Sequence, residues 1–311
     1  MSSSAIHRAR VSAVVAALLA VVAAVVLVAI GPAPTAAAIT GGEADGEGHP
    51  SVALIRAYDD SDGTAYRCSA SLVSPTVLLT AGHCVTGVRG AVLVTFESVV
   101  AAQEPAPLPD AGEPALGYQP PELQLAGYLS GTAHPHPSYA DFADVKNPYD
   151  VGVVVLDEPV TGVAPSEIAA LGTLDQLRPL NAFLFTVVGY GTEVVKPDSG
   201  PRQPTAMGYP LVRRVAESPG QRLTEQVLLL NGNPHDTRGT GGICFGDSGG
   251  PAFLNESVVA VTSYAFTNNC RYLAGFQRVD IEPVQTWLAS FGVTPAIAAK
   301  PQQPTRGTVT G

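Results

Sequence analysis

The sequence predicts an all-β fold, with barrels or sandwiches built from short strands. Two observations carry this expectation. Of 311 residues, 46% are hydrophobic and only 14% charged, and 32 Gly with 27 Pro supply turns at a density that suits a loop-rich β protein better than a helical one. After Ile39, short β-branched runs recur between turn signals: Val52 to Ile55, Val77 to Thr80, Ala91 to Phe96, Val151 to Leu156, Phe183 to Val188, Gln226 to Leu230, Val258 to Thr262 and Gly275 to Val279. Regularly spaced short strands of this kind assemble into barrels or stacked sheets.

In chain order, residues 1–38 read first as an export signal. Arg8 and Arg10 precede an apolar stretch from Val11 to Ile30, followed by Gly31-Pro32 and the small-residue site Ala36-Ala37-Ala38. The stretch is also long enough to span a bilayer, so an uncleaved anchor is the competing reading. Next, the Pro- and Ala-rich segment 99–127 is expected to be an inserted surface loop, and Lys196 to Gly208 a second loop. From Ile281 to Phe291 the apolar residues Ile281, Val284, Trp287, Leu288 and Phe291 fall at helical spacing. Residues 293–311 carry too little hydrophobic content to fold and form an expected disordered tail, which leaves 39–292 as the folded domain.

A formal net charge of −10 argues against a nucleic-acid partner and favours solubility. Four cysteines in an exported chain imply two disulfides, and spacing alone allows three pairings. No Cys-x-x-Cys or paired-His spacing suggests a metal site.

Three segments carry chemistry. Gly246-Asp247-Ser248-Gly249-Gly250-Pro251 has the form of a loop that presents a nucleophilic serine, with glycines that let backbone N–H groups converge on a developing oxyanion. Thr80-Ala81-Gly82-His83-Cys84 offers the imidazole that such a serine needs as a base near neutral pH. Between them Asp150 opens the apolar run Val151 to Leu156, the setting of a buried acid that orients the base. Asp141, Asp144 and Asp157 are the neighbouring alternatives. His49, His134, His136 and His235 stand in loop-like sequence, and His7 in the export segment. The order His, Asp, Ser separates this constellation from the subtilisin and α/β-hydrolase arrangements.

With these blocks, and with Ile39-Thr40-Gly41-Gly42, Cys68-Ser69-Ala70-Ser71-Leu72, Val188-Gly189-Tyr190-Gly191 and Ser263-Tyr264-Ala265, the chain resembles the chymotrypsin-like (trypsin-family) serine endopeptidases from about Ile39 to Phe291. The resemblance implies two six-stranded antiparallel Greek-key barrels with a C-terminal helix. It implies a catalytic triad of His83, Asp150 and Ser248, an oxyanion hole at the N–H groups of Gly246 and Ser248, disulfides Cys68–Cys84 and Cys244–Cys270, and no cofactor. It also implies a monomer acting on proteins or peptides, with a membrane partner only if the leader stays uncut. Asp247 is the acid that would pair with a new α-ammonium group at Ile39. Six residues before Ser248, where trypsin-like members carry an aspartate for Arg and Lys, stands Gly242. Ser263, Tyr264, Ala265 and Ala274 would line the rest of the specificity pocket, and the two alanine methyls would shorten it. A small or medium apolar side chain before the cleaved bond is the expectation. An esterase or a non-catalytic binding module on the same fold are the rival functions.

Overall fold

A computed structural model of the chain describes residues 39–102, 108–194, 207–208, 210–233, 235–270 and 272–296. The export segment and the end of the tail lie outside the described residues, as does most of the second predicted loop. Among the described residues no helix is long and apolar enough to cross a membrane.

Twelve strands form two closed barrels. The first comprises β1 (Val52–Asp59), β2 (Ala65–Ser74), β3 (Val77–Thr80), β4 (Val88–Thr95), β5 (Leu129–Pro135) and β6 (Gly152–Leu156), joined in the order β1-β2-β3-β6-β5-β4 and back to β1. The second comprises β7 (Leu184–Gly189), β8 (Arg214–Leu223), β9 (Val227–Asn231), β10 (Pro251–Leu254), β11 (Ser257–Ala265) and β12 (Leu273–Arg278). Its pairings run β7-β8-β9-β12-β11-β10 and back to β7, all antiparallel. Counted within each barrel, the two orders are the same. Closure removes the sheet edges that an open sheet of this size would expose.

Strand β1 shows why its opening run, Val52 to Ile55, is continuously apolar. Ala53, Ile55 and Ala57 fill the first barrel with Leu72, Leu78, Val92 and Val94, while Val52 and Leu54 face the other way. There they meet Leu79, Val153, Val188, Tyr190 and Val261 in a core shared by the two barrels. A strand buried on both faces has no polar side to alternate, and each fully buried Val or Leu contributes about 1.5–3 kcal/mol.

All eight predicted runs fall on strands. Four barrel strands lie outside those runs: Ala65–Ser74, Pro251–Leu254, Leu129–Pro135, which reads Leu-Ser-Gly-Thr-Ala-His-Pro, and Arg214–Leu223, which carries Pro219-Gly220 in its middle. The C-terminal helix forms over Glu282–Ala289 (hereafter its apolar face, Val284 and Leu288, is fully buried) with Pro283 in its first turn. Folding continues past the expected boundary at residue 292: Val293 is buried against the same core and Ala296 N–H donates to Ile168 O at 2.7 Å. Residues 293–296 therefore pack with the folded domain.

The segment 99–127 is likewise more than a surface loop. Val99–Ala101 pairs with Leu211–Val212, a short helix spans Pro120–Leu125, and Ala111, Tyr118 and Leu123 are buried against Tyr58 and Leu93 of the first barrel. Arg56 anchors it through Pro109 O at 2.6 Å, Tyr118 Oη at 2.7 Å and Asp110 at 2.7 Å. Its 103–107 core of prolines lies outside the described residues.

Cys68 and Cys84 are joined by a disulfide across 16 residues, and Cys244 and Cys270 across 26. The first ties the turn carrying His83 to β2. Replacing both Cys68 and Cys84 with alanine is expected to cost about 3 kcal/mol. That corresponds to a fall in Tm of roughly 6–12 °C by calorimetry; an unchanged Tm would remove the disulfide from the stability of this loop.

Candidate active site

Gly82–Cys84 forms a single 3₁₀ turn directly after β3, so His83 projects from the rim of the first barrel with its side chain 28% exposed. Asp150, just before β6, is fully buried. Its Oδ2 accepts from His83 Nδ1 at 2.9 Å, and its Oδ1 accepts from the His83 backbone N–H at 2.9 Å. The pairing Thr80↔Gly152 between β3 and β6 holds the two residues together, although 67 positions separate them.

Two further groups fix the acid, and sequence reasoning missed this role for both. Ser263 Oγ donates to Asp150 Oδ2 at 2.5 Å, and Gln277 Oε1 accepts the Asp150 N–H at 3.1 Å. Ser263 reaches the acid because the register between β11 and β12 shifts between Thr262 and Tyr264. Such a bulge turns one side chain out of the regular alternation. The hint in the sequence is slight, a serine following Thr262 at the end of the apolar run Val258 to Val261.

Ser248 is brought up from the second barrel. Its carbonyl accepts from Ser69 N–H at 2.8 Å, and the next residue, Gly249, lies so close to Thr80 Oγ1, Ser69 O and Ala81 N that an added Cβ would come within 2.0–2.7 Å of them. With φ at +78°, Gly249 also occupies the left-handed region that favours glycine. The tight glycine seats the serine against the strand end that leads into His83. Among the described residues, neither Gly246 N–H nor Ser248 N–H donates to any protein acceptor. Two free amide donors therefore flank the serine in a loop whose other amides are bonded: Asp247 N–H to Cys244 O, Gly249 N–H to Thr262 O and Gly250 N–H to Asp247 O.

The Asp247 side chain turns inward and is fully buried. Its Oδ1 accepts from Gly191 N–H and its Oδ2 from Cys244 N–H, both at 2.7 Å. Burial pushes this carboxyl up to about 7, because the two amides and the Arg67 charge offset only part of the desolvation. Ile39 is fully buried in the core of the second barrel, and Thr40 O accepts from Gly242 N–H at 3.0 Å.

Gly242 faces Gly232 so closely that an added Cβ would lie 2.4 Å from Gly232 Cα, so no side chain fits there. Ala265 and Ala274 are direct partners in the β11–β12 register, and the Tyr264 ring lies over Gly275. Phe142, which the sequence did not single out, sits 6.3 Å from the His83 ring and 6.1 Å from Tyr264, centre to centre. A cavity of about 470 Å³ lined by Tyr66, Arg67, Phe245 and Gly246 opens on one side of the loop. Another of about 340 Å³, lined by Arg222, Leu229 and Tyr264, opens on the Tyr264 side.

Three of the other histidines have structural partners, His134 packing against Phe291 at 5.5 Å between ring centres. His49 Nδ1 lies 2.5 Å from Asp45, and His136 is buried in a stack with Tyr149 and against Trp287, where burial lowers its pKa. Among the described residues, the group of His, Cys, Asp or Glu close enough to hold an ion is Cys68, His83 and Cys84. Disulfide formation has removed the two thiolates that such a site would require.

Comparisons with known proteins bear on the fold and the family. The family model described as Trypsin matches residues 39–288. Brachyurin of Leptuca pugilator is 28% identical over 239 residues, which is 74% of this chain and 90% of that protein. The solved structure of HL collagenase superposes with a TM-score of 0.55 at 17% identity, covering 81% of this chain and 96% of its own. That of GrC does so with a TM-score of 0.54 at 17% identity, covering 82% and 99%. Two barrels of one topology, an acid-held histidine at their junction and a family match across nearly all of the described chain lead to one conclusion: the chain belongs to the trypsin family and is a serine endopeptidase.

Proposed function

We propose that the protein is an exported endopeptidase whose nucleophile is Ser248, with His83 as general base and Asp150 as its orienting acid. Asp150 accepts a hydrogen bond from His83 Nδ1–H and so holds the tautomer whose Nε2 lone pair is free to take the serine proton. The Ser248 Oγ–C bond to the substrate carbonyl forms as His83 accepts the hydroxyl proton. The tetrahedral oxyanion is received by Gly246 and Ser248 N–H. His83 then protonates the departing amine, and water repeats the sequence on the acyl-enzyme. The observation that carries this reading is the pair of free amides on the loop of Ser248 beside a histidine held by a buried acid. The cavity beside Phe245 and Gly246 suits a chain that continues past the cleaved bond.

The test is covalent labelling with a fluorophosphonate, followed by mass spectrometry of the digested protein. One label per chain on Ser248 is the expected result; a label elsewhere, or none on protein beginning at Ile39, overturns the assignment.

No charge is offered at Gly242, and Ala265 and Ala274, register partners on neighbouring strands, bring only methyl groups side by side to the sheet beside Tyr264. Peptides with small or medium apolar residues before the cleaved bond are expected to outcompete those with Arg or Lys, each methyl group being worth about 1–3 kcal/mol of discrimination. A peptide library varied at that position decides this, and preferred cleavage after Arg or Lys refutes it. The packing adds a sharper expectation. Gly242→Asp should not confer cleavage after Arg or Lys; its side chain has to displace the Gly232 backbone, which costs about 1–3 kcal/mol of stability. Chemical denaturation together with the same library reads both effects.

A further inference from the structure

Ser69 lies in β2 beside Cys68, is fully buried, and makes four hydrogen bonds, two of them to the catalytic loop. Its N–H donates to Ser248 O at 2.8 Å and its O accepts from Thr80 Oγ1 at 2.8 Å. Its hydroxyl accepts from Tyr190 N–H at 2.9 Å and donates to Gly246 O at 3.0 Å. One residue thus ties together the nucleophile's carbonyl, the oxyanion glycine, the end of β7 and the strand that enters the His83 turn.

Gly246 is the residue that most needs such a tie. With φ at +95° and no side chain, it has no intrinsic preference that would keep its N–H aimed at the substrate. The peptide plane that carries the Gly246 N–H is held on its other face by Thr192 N–H, which donates to Phe245 O at 2.6 Å. The following plane, which begins at Gly246 C=O, is held by Ser69 Oγ. With both planes fixed, the dihedral between them is fixed too. We propose that the Ser69 hydroxyl is a positioning residue of the oxyanion hole: it locks the Gly246 carbonyl, and through it the direction of the Gly246 N–H that stabilises the transition state. The proposal rests on the reading of Ser248 as nucleophile and of Gly246 N–H as oxyanion donor.

An interaction of this kind is felt in the transition state and not in ground-state binding. In Ser69→Ala, kcat is expected to fall on the order of 10- to 100-fold, with KM within about twofold of wild type, since removal of an oxyanion donor outright costs roughly 10²- to 10³-fold. A peptide boronic acid, whose adduct places an oxygen in the oxyanion hole, should lose affinity by the same factor as kcat/KM. The fluorophosphonate should still titrate Ser248 completely given time. Ser69→Gly, which leaves room for a water to bridge Tyr190 N–H and Gly246 O, guards against misfolding of the alanine variant and should have an intermediate kcat. A purely structural role would lower Tm in either variant and leave the ratio of boronate to substrate affinity at its wild-type value, and that result overturns the proposal. Wild-type protein that takes no label at Ser248 overturns the underlying reading instead, and the positioning role with it.

Discussion

Replacing Ser248 with alanine is expected to lower kcat on the order of 10⁶-fold, the scale that serine proteases with the same triad show when the nucleophile is lost. Tm should stay near the wild-type value, because among the described residues the Ser248 hydroxyl makes no hydrogen bond whose loss would be felt in folding; the loop is held by Ser248 O and its neighbouring amides. His83→Ala should cost about as much, and the double variant little more than either single one, since a base without its nucleophile has nothing to activate. Asp150→Ala should differ in kind. It loses on the order of 10⁴-fold in kcat, and it also leaves the His83 N–H and the Ser263 hydroxyl without an acceptor in a fully buried site. Stability should therefore fall with activity by about 1–3 kcal/mol or more. Steady-state kinetics and calorimetry on the four variants test the set. A Ser248→Ala protein that cleaves peptides at the wild-type rate ends the assignment.

The contrast between these variants reflects how differently their roles are written in the sequence. Ser248, His83 and Asp150 stand in segments whose local chemistry is demanding. A serine needs glycines around it to be approached, a histidine follows a strand end, and an acid opens an apolar run. Each demand leaves a mark within a few residues. Ser263, Gln277 and Ser69 leave none, because their roles depend on partners 113, 127 and 177 positions away and on register that only the closed barrels set. Ser263 needs the bulge in β11 to turn toward Asp150, and a bulge has no signature in an alternating apolar strand. The strands tell the same story. Val52–Asp59 is legible because burial on both faces makes its first four residues continuously apolar, whereas Arg214–Leu223 contains Pro219 and Gly220 and forms only because β7 and β9 pair on either side of it. Gly242 was read as a missing charge; the structure adds that Gly232 excludes any side chain from that place.

Protein that begins at Ile39 is expected to be at least about 100-fold more active than protein carrying even a short extension before it, on the scale of one lost oxyanion donor. The reason lies in the unusual state of Asp247. The carboxyl is fully buried, takes two amide hydrogen bonds, and is still raised from the ordinary 3.8 to about 7. An acid whose pKa is raised on folding stabilises the fold fully below its unfolded value and loses that contribution as pH climbs through the folded one. An extended form should therefore lose stability between about pH 4 and pH 7, by roughly 4 kcal/mol at ~1.4 kcal/mol per unit of pKa. We infer that a free Ile39 ammonium group, next to Thr40 where it bonds Gly242, pairs with Asp247, draws its pKa back down and holds the oxyanion loop in its working form. A buried pair of this kind is worth its desolvation only when well hydrogen-bonded, and the Gly191 and Cys244 amides supply those bonds. The stability loss should then vanish in protein that starts at Ile39 and return only as the amine deprotonates above about pH 8. Asp247→Asn should react poorly with the fluorophosphonate even with Ser248 and His83 in place. If Ala38 is the last residue removed on export, the enzyme emerges active with no separate propeptide step. Amino-terminal sequencing of freshly exported protein, paired with activity and with denaturation curves at pH 4, 6, 7 and 9, settles the matter: full activity in an extended form, or the same pH dependence in both forms, rules out the ammonium–Asp247 pair.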